Sequence, residues 1–197
     1  MEQFRGKIIL ELLKEKLKVQ PKVLDIGCGE NNLFFKFKDY TGIDIKDYGI
    51  KKNILIMDLN CIKSLPFNDN TFDVVIATES LEHLFRPDII AKEINRVVKE
   101  DGIIIVSLPN EFTLACRIGF LLGKVLNRGF DLFTHKYIFS KKTAENFVEK
   151  YFCIVDKAYV MMGIGTKYLP DSLRFFLANT FPQLFAKSII FKCRKKK

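Results

Sequence analysis

The residues that could bind a ligand begin at positions 23–30, VLDIGCGE, where an apolar run leads into a carboxylate and a glycine turn. The β-branched beginning of this stretch predicts a first strand, buried on both faces of a parallel sheet. Gly27 and Gly29 let the backbone turn sharply and let a ligand approach where a Cβ would clash. A dinucleotide fingerprint needs a third glycine at the position of Asn32. The carboxylate of Asp25 opposes a pyrophosphate and favours a ligand with a cationic centre, such as S-adenosylmethionine.

Two more acidic residues follow predicted strands. Residues 40–45 and 53–57 predict the second and third strands, which lead into Asp44 and Asp58. Ligands of open α/β sheets bind beyond the carboxyl ends of the strands, so we expect these carboxylates to lie together with that of Asp25. The carboxylate of Asp44 suits the two hydroxyls of a ribose. The alternative is a loop aspartate that caps the following turn.

A histidine follows the fourth predicted strand, residues 74–77, in the segment TESLEHL at positions 78–84. Histidine titrates near neutral pH and therefore suits proton transfer. We predict His83 as the catalytic base or as a group that orients the acceptor, and the alternative is a structural histidine that hydrogen-bonds its loop. His135 is predicted to be structural, with a contribution to a substrate lid as the alternative.

These segments resemble the class I S-adenosylmethionine-dependent methyltransferases, in particular the type 11 group that includes the ubiquinone and menaquinone biosynthesis enzymes. The stretch VLDIGCGE is similar to their first motif, with Asn31 where they usually have glycine. Residues 65–73, LPFNDNTFD, are similar to their LPF-x-D-x-(S/T)-FD segment. The pair Glu82-His83 is similar to the pair that faces the methyl donor and the acceptor. The resemblance covers residues 22–110.

The resemblance implies an α/β fold, a Rossmann-like seven-stranded sheet in the order 3-2-1-4-5-7-6. It predicts one domain over residues 1–197, with a core at 20–110 and 135–193 and helical lid insertions at about 111–134 and 166–186. The resemblance also implies S-adenosyl-L-methionine as the cofactor and S-adenosyl-L-homocysteine as the product, and no metal is expected. In the resembling family an aspartate at the position of Asp58 accepts from the adenine amino group. The predicted cofactor-binding residues are Asp25, Gly27, Cys28, Gly29, Asp44, Ile45, Asp58, Leu59 and Thr78.

Helices are expected around this sheet. Residues 3–18 have apolar positions at helical spacing. Asp88 is predicted to cap a helix that runs to Lys99 and ends at Gly102. Ser140 is predicted to cap a helix at residues 141–151.

The composition limits the class of protein. With 197 residues, 48% of them hydrophobic, the chain has the length of one globular domain. Its five cysteines form no C-x-x-C pair, which argues against disulfides and a zinc site. No apolar run is long enough for a transmembrane helix, and the first residues carry glutamates, unlike a signal peptide. We expect a cytoplasmic protein with peripheral contact at the inner face of the membrane.

Two apolar segments with basic neighbours, residues 112–128 and 169–185, are predicted to cover the acceptor site and to contact an anionic membrane surface. The basic run at residues 192–197 is expected to assist them. The alternatives are helices packed in the core or a homodimer interface, so monomer and homodimer both remain open.

The acceptor is predicted to be a small molecule, hydrophobic or lipid-linked. The net charge of +9 keeps an RNA or protein methyltransferase as an alternative. Nucleic acid is less favoured, because residues 77–80, ATES, lack the (D/N)-P-P-(Y/F) motif of base methylation. A non-catalytic S-adenosylmethionine-binding interaction protein is the third alternative, since a fold does not by itself imply a function.

Overall fold

The fold is built from seven strands that form one sheet in the order β3-β2-β1-β4-β5-β7-β6. The computed structural model describes residues 2–30, 36–49, 53–123, 134–161 and 168–196. The first five strands are parallel, and β7 pairs antiparallel with both β5 and β6. The predicted fold class and strand order are confirmed. The strands are β1 Lys22–Ile26, β2 Asp39–Asp44, β3 Asn53–Ile56, β4 Phe72–Thr78, β5 Val98–Pro109, β6 Phe152–Val160 and β7 Ser188–Lys195.

Helices cover both faces of the sheet. The helices are α1 Glu2–Leu12, α2 Lys14–Leu17, α3 Pro87–Val97, α4 Leu114–Leu121, α5 Lys141–Tyr151, α6 Asp171–Thr180 and α7 Pro182–Phe185, with a 3-10 turn at Leu81–His83. Residues of β1, β4 and β5 contribute to one buried cluster with α3 and α5, and to another with α1. Within the described ranges, no helix has the length and apolar character needed to cross a bilayer. The sequence also predicts a short helix at residues 32–37, most of which lie outside the described residues.

The predicted start and end of α3 are wrong. The helix starts with Pro87 at its first position, and the Asp88 side chain instead accepts from the guanidinium of Arg86, at 2.9 Å. Proline suits this position because its missing N–H would have no helical partner. The helix passes directly into β5 at Val98. Gly102 lies inside β5, where a Cβ would stand 2.5 Å from Cγ2 of Val98.

The predicted cap of α5 is confirmed. The Ser140 hydroxyl accepts from the Thr143 N–H, and the Thr143 hydroxyl accepts from the Ser140 N–H at 2.8 Å. This reciprocal pair satisfies two N–H groups that the first turn leaves without helical partners. The second apolar segment forms two helices, because Pro182 has no N–H with which to continue α6.

Candidate active site

The glycine turn after β1 is bonded to the end of β2. The N–H groups of Gly27 and Cys28 donate to the Ile43 carbonyl at 2.8 and 3.1 Å, and the Gly29 N–H donates to Oδ2 of Asp44 at 2.8 Å. Both glycines have a positive φ, +68° and +54°. Left-handed backbone at two positions of one short turn explains the need for glycine.

The two glycines have different neighbours. A Cβ at Gly27 would lie 2.6 Å from Cβ of Ser80, so this glycine allows the turn to pack against the segment after β4. A Cβ at Gly29 would meet no atom of the described residues within 4 Å. The open side of the turn, which a ligand could approach, is therefore at Gly29.

Asp44 performs the capping role that the sequence left as an alternative. Its Oδ2 accepts from Gly29, and its Oδ1 accepts from the Lys46 N–H at 3.2 Å. A carboxylate has about four acceptor positions. Two backbone donors therefore leave capacity for ribose hydroxyls, and the ribose role stays a prediction. Ile45, the next residue, is exposed and offers an apolar surface beside this carboxylate.

Asp58 follows β3 in a tight turn. Its Oδ1 accepts from the Asn60 N–H at 2.9 Å, and its Oδ2 lies 3.4 Å from the Cys61 thiol. The hydrogen bond from the Asn60 backbone, followed by that from Cys61, lowers the pKa of Asp58 and keeps its carboxylate charged. The Asn60 side chain accepts from the Phe85 N–H at 2.8 Å, which joins this turn to the segment after β4. Leu59 is half-buried against the core.

The other predicted cofactor residues lie around the ends of β1 and β4. The Asp25 carboxylate is fully buried and accepts from the Tyr40 hydroxyl at 2.9 Å. Burial, aided by the charges of Asp25 and Asp44, raises the pKa of the buried Cys28 thiol to about 12. Cys28 therefore contributes its backbone and its packing, and no thiolate chemistry. Thr78, half-buried, is the last residue of β4.

Beyond β4, the 3-10 turn carries Glu82 and His83. The Glu82 side chain is fully buried, and neither carboxylate oxygen has a hydrogen-bond partner in the part of the chain that the structure describes. Burial and then the charge of Glu79 raise its pKa well above the ordinary value. The Glu82 carbonyl accepts from the N–H groups of Lys136 and Tyr137 at 2.8 and 3.2 Å. These two bonds fix the segment that contains His135 against the turn.

The two histidines of the chain lie side by side. Their ring centroids are 4.7 Å apart in an edge-to-face arrangement. Nδ1 of His83 lies 3.1 Å from the Thr134 carbonyl oxygen, and Nδ1 of His135 lies 3.0 Å from Oε1 of Glu111. A carbonyl oxygen can only accept, so Nδ1 of His83 is the donor and Nε2 carries the lone pair. His83 can therefore take a proton or bind a cation through Nε2.

Glu79 and Glu111 were not predicted as parts of this site. Glu79 has a φ of +48°, and its Oε1 accepts from the hydroxyls of Ser107 and Ser188, each at 2.8 Å. Glu111 is buried, and its Oε2 accepts from Nζ of Lys187 at 2.9 Å. The sequence signal for each was its place just after a predicted strand, residues 74–77 for Glu79 and a fifth predicted strand at residues 103–108 for Glu111. The partners of the two carboxylates had no such signal, since they come from distant parts of the chain.

Comparison with known proteins shows which families and folds this chain resembles. Residues 24–106 match the family described as Methyltransferase domain. A SAM-dependent methyltransferase from Archaeoglobus fulgidus has the same fold, with a TM-score of 0.59 and 21% identity over 98% of this chain and 97% of that one. Residues 24–106 thus match a methyltransferase-domain family, and the chain has the fold of S-adenosylmethionine-dependent methyltransferases. The family's methyl donor is S-adenosylmethionine and its product is S-adenosylhomocysteine, as predicted.

Two methyltransferases of known name are similar to this chain in sequence. A sterol 4-C-methyltransferase of Caenorhabditis elegans is 34% identical over 129 residues, covering 53% of this chain and 38% of that protein. A 2-methyl-6-phytyl-1,4-hydroquinone methyltransferase of Synechocystis sp. is 34% identical over 102 residues, covering 45% and 32%. The chain thus spans less than half the length of either relative.

A substitution at Asp44 gives a first test of the candidate cofactor site. We expect Asp44→Asn to weaken S-adenosylhomocysteine binding about 10- to 150-fold, because an ionised hydrogen-bond acceptor contributes about 1.5–3 kcal/mol. Asp47→Asn is the matched control, since Asp47 accepts from the Gly49 N–H at 2.8 Å in the same loop and is exposed. Calorimetry of both variants measures the affinities. Equal affinities in the two variants would remove Asp44 from the cofactor site.

Proposed function

We propose that the protein transfers a methyl group from S-adenosylmethionine to a small hydrophobic or lipid-linked acceptor, which it meets at an anionic membrane surface. The observation that carries the proposal is an apolar face on α4 and α6. Large apolar side chains project into solvent from both helices, including Leu121 at 86% exposure, Phe175 at 69% and Phe176 at 57%. Both helices contact α7, and large exposed apolar side chains on neighbouring helices favour a contact site for a partner or a membrane.

The apolar face adjoins the candidate active site. Helix α7 contacts both α4 and α6. The Asn110 side-chain amide, buried at the end of β5, donates to the carbonyls of Gln183 and Ala186 at 3.3 and 2.8 Å. The next residue is Glu111, which pairs with His135. An acceptor embedded in an apolar phase would therefore enter near the histidines.

Basic side chains lie near this face at α4 and α5. Arg117 of α4 lines a cavity of about 230 Å³ together with Lys141 and Lys142 of α5. Each basic residue near an anionic bilayer contributes about 1 kcal/mol to binding. The prediction that the basic run at residues 192–197 assists membrane contact is wrong for the residues of the run that the structure describes. Because β7 runs antiparallel to β5, Lys195 lies near the amino end of β5, at the opposite end from Pro109. Its Nζ is 3.3 Å from the Val98 carbonyl oxygen.

The main chemical role of the protein in the proposed reaction is to position the acceptor against the methyl group. When bound, S-adenosylmethionine supplies a methyl group on a sulfonium centre. Much of the rate of such a transfer comes from holding the acceptor in line and excluding water, which suits a site beside apolar helices. Nε2 of His83 can remove a proton from an acceptor that has one to lose, while the Thr134 carbonyl holds the ring in place. The names of the sterol and hydroquinone methyltransferase relatives support an apolar acceptor for this chain.

Vesicle sedimentation tests the membrane half of the proposal. We expect the protein to sediment with anionic vesicles at low salt and less at high salt. The double variant Phe175→Ser, Phe176→Ser should lower the partition coefficient roughly 10²- to 10⁴-fold, because burying each phenylalanine contributes about 1.5–3 kcal/mol. Ile56→Ser is the control, since Ile56 is 53% exposed on β3, at the far edge of the sheet from α6.

The alternative occupant of the apolar face is a second copy of the chain. Analytical ultracentrifugation of the same variants measures this. A tight dimer that ignores anionic vesicles, and that Phe175→Ser with Phe176→Ser converts to a monomer, would overturn the membrane proposal.

A further inference from the structure

We propose that Glu82, His83 and His135 form a site for a divalent transition-metal ion such as Zn²⁺. One donor atom from each residue lies within 4.8 Å of the other two. Glu82 and His83 come from the 3-10 turn after β4, and His135 comes from the segment before α5. This inference goes beyond the proposed function, because metal binding can be measured without an acceptor. It also revises the sequence-based expectation of no metal.

The surroundings of the histidines orient them as metal ligands. A ligating histidine usually donates its other ring N–H to a carboxylate or a backbone carbonyl, which fixes the ring and its tautomer. At His83 the Thr134 carbonyl accepts from Nδ1 at 3.1 Å, and at His135 Nδ1 lies at ion-pair distance from the Glu111 carboxylate, 3.0 Å from Oε1. These contacts occupy Nδ1 of each ring and leave Nε2 as the atom for a metal. Lys187, at 2.9 Å from Glu111, keeps that carboxylate in place.

The third ligand is a buried carboxylate for which the described residues provide no hydrogen bond. Glu82 is fully buried, whereas buried polar groups are normally hydrogen-bonded. The neighbouring carboxylates have their own partners, since Glu111 pairs with Lys187 and Glu79 lies 3.8 Å from the Arg5 guanidinium. A divalent cation between Glu82 and the two imidazoles would satisfy the remaining carboxylate.

Glu79 is not part of the ligand set. Both its Oε1 hydrogen bonds, to Ser107 and Ser188, hold its carboxylate towards β5 and β7. Two imidazoles and one carboxylate suit Zn²⁺ and other first-row metals. Three protein ligands leave at least one coordination position open, as in catalytic zinc sites. In the metal-bound protein Nε2 of His83 is a ligand and no longer a proton acceptor. An oxygen atom of the acceptor could then occupy the open position, where the metal would make its proton easier to remove.

The direct test is metal binding to protein that has been treated with a chelator and then dialysed. Titration with Zn²⁺ by calorimetry, and with Co²⁺ by visible absorption, is expected to show one equivalent bound without a thiolate-to-cobalt charge-transfer band. Glu82→Gln and His135→Ala should each weaken binding at least tenfold. Glu111→Gln should weaken it about 10- to 100-fold through the orientation of His135.

Exposed thiols are the competing metal site, so Cys61→Ser is the matched control. Cys61 is exposed and lies 3.4 Å from a carboxylate oxygen of Asp58. Binding that persists in Cys61→Ser and is lost in His135→Ala supports the proposal, and the reverse pattern overturns it. Zn²⁺ should also raise the melting temperature of the wild type and leave that of His135→Ala unchanged. Absence of stoichiometric Co²⁺ binding to the wild-type protein likewise overturns the proposal.

Discussion

Replacing Gly27 by alanine is expected to lower the melting temperature by roughly 4–20 °C. A Cβ at Gly27 would stand 2.6 Å from Cβ of Ser80, a distance that requires one backbone segment to move. Overpacking of this kind costs about 1–3 kcal/mol. A φ of +68° adds about 1–2 kcal/mol of strain for a residue with a Cβ. For a chain of this length, each kcal/mol lowers the melting temperature by about 2–4 °C.

The matched control is Gly29→Ala, because Gly29 has a similar φ, and its Cβ would meet no described atom within 4 Å. This variant should show only the strain cost in a thermal melt, and should lose affinity for S-adenosylhomocysteine because its methyl group occupies the open side of the turn. The double variant Gly27→Ala, Ser80→Gly removes the clash and should recover part of the stability. Equal melting temperatures for the two alanine variants would show that Ser80 is not the reason for the glycine.

Replacing His83 by alanine is expected to lower methyl transfer about 10²- to 10⁴-fold and to change cofactor affinity little. Loss of a positioned proton acceptor has an effect of this size. Apart from Thr78 of β4, the predicted cofactor residues lie at the ends of β1, β2 and β3, so the affinity for S-adenosylhomocysteine should be kept. The measurement is transfer of a labelled methyl group from S-adenosylmethionine into a lipid extract, with an RNA extract as the comparison.

A second substitution separates chemistry from structure at the same position. His83→Asn keeps an N–H where Nδ1 donates to the Thr134 carbonyl but has no lone pair at the place of Nε2. We expect His83→Asn to be as inactive as His83→Ala while melting like the wild type. Full activity of His83→Asn would assign His83 the structural role that the sequence allowed. Transfer into RNA alone would contradict the proposed acceptor class.

The features that were predictable from the sequence depend on short stretches of chain. The buried strand β1, the glycine turn after it and the Ser140 cap of α5 each follow from residue type and local spacing, since backbone conformation and hydrogen-bond capacity act within a few residues. The strand order followed from resemblance to a family whose chains share that pattern. The acidic residues at the ends of β2 and β3 could also be located from the sequence, because apolar runs followed by polar residues mark where strands end.

The contacts between distant segments were decided by the tertiary structure. Ser80 explains Gly27 from 53 positions further along the chain, and Glu111 meets His135 only because β5 ends beside the segment before α5. The antiparallel direction of β7 moves Lys195 away from the end of β5 at Pro109, although β7 begins there with Ser188. Local patterns specify the elements, whereas register, strand direction and close packing specify which side chains meet. For that reason the cofactor turn was visible in the sequence, and the cluster around Glu82 required the folded chain.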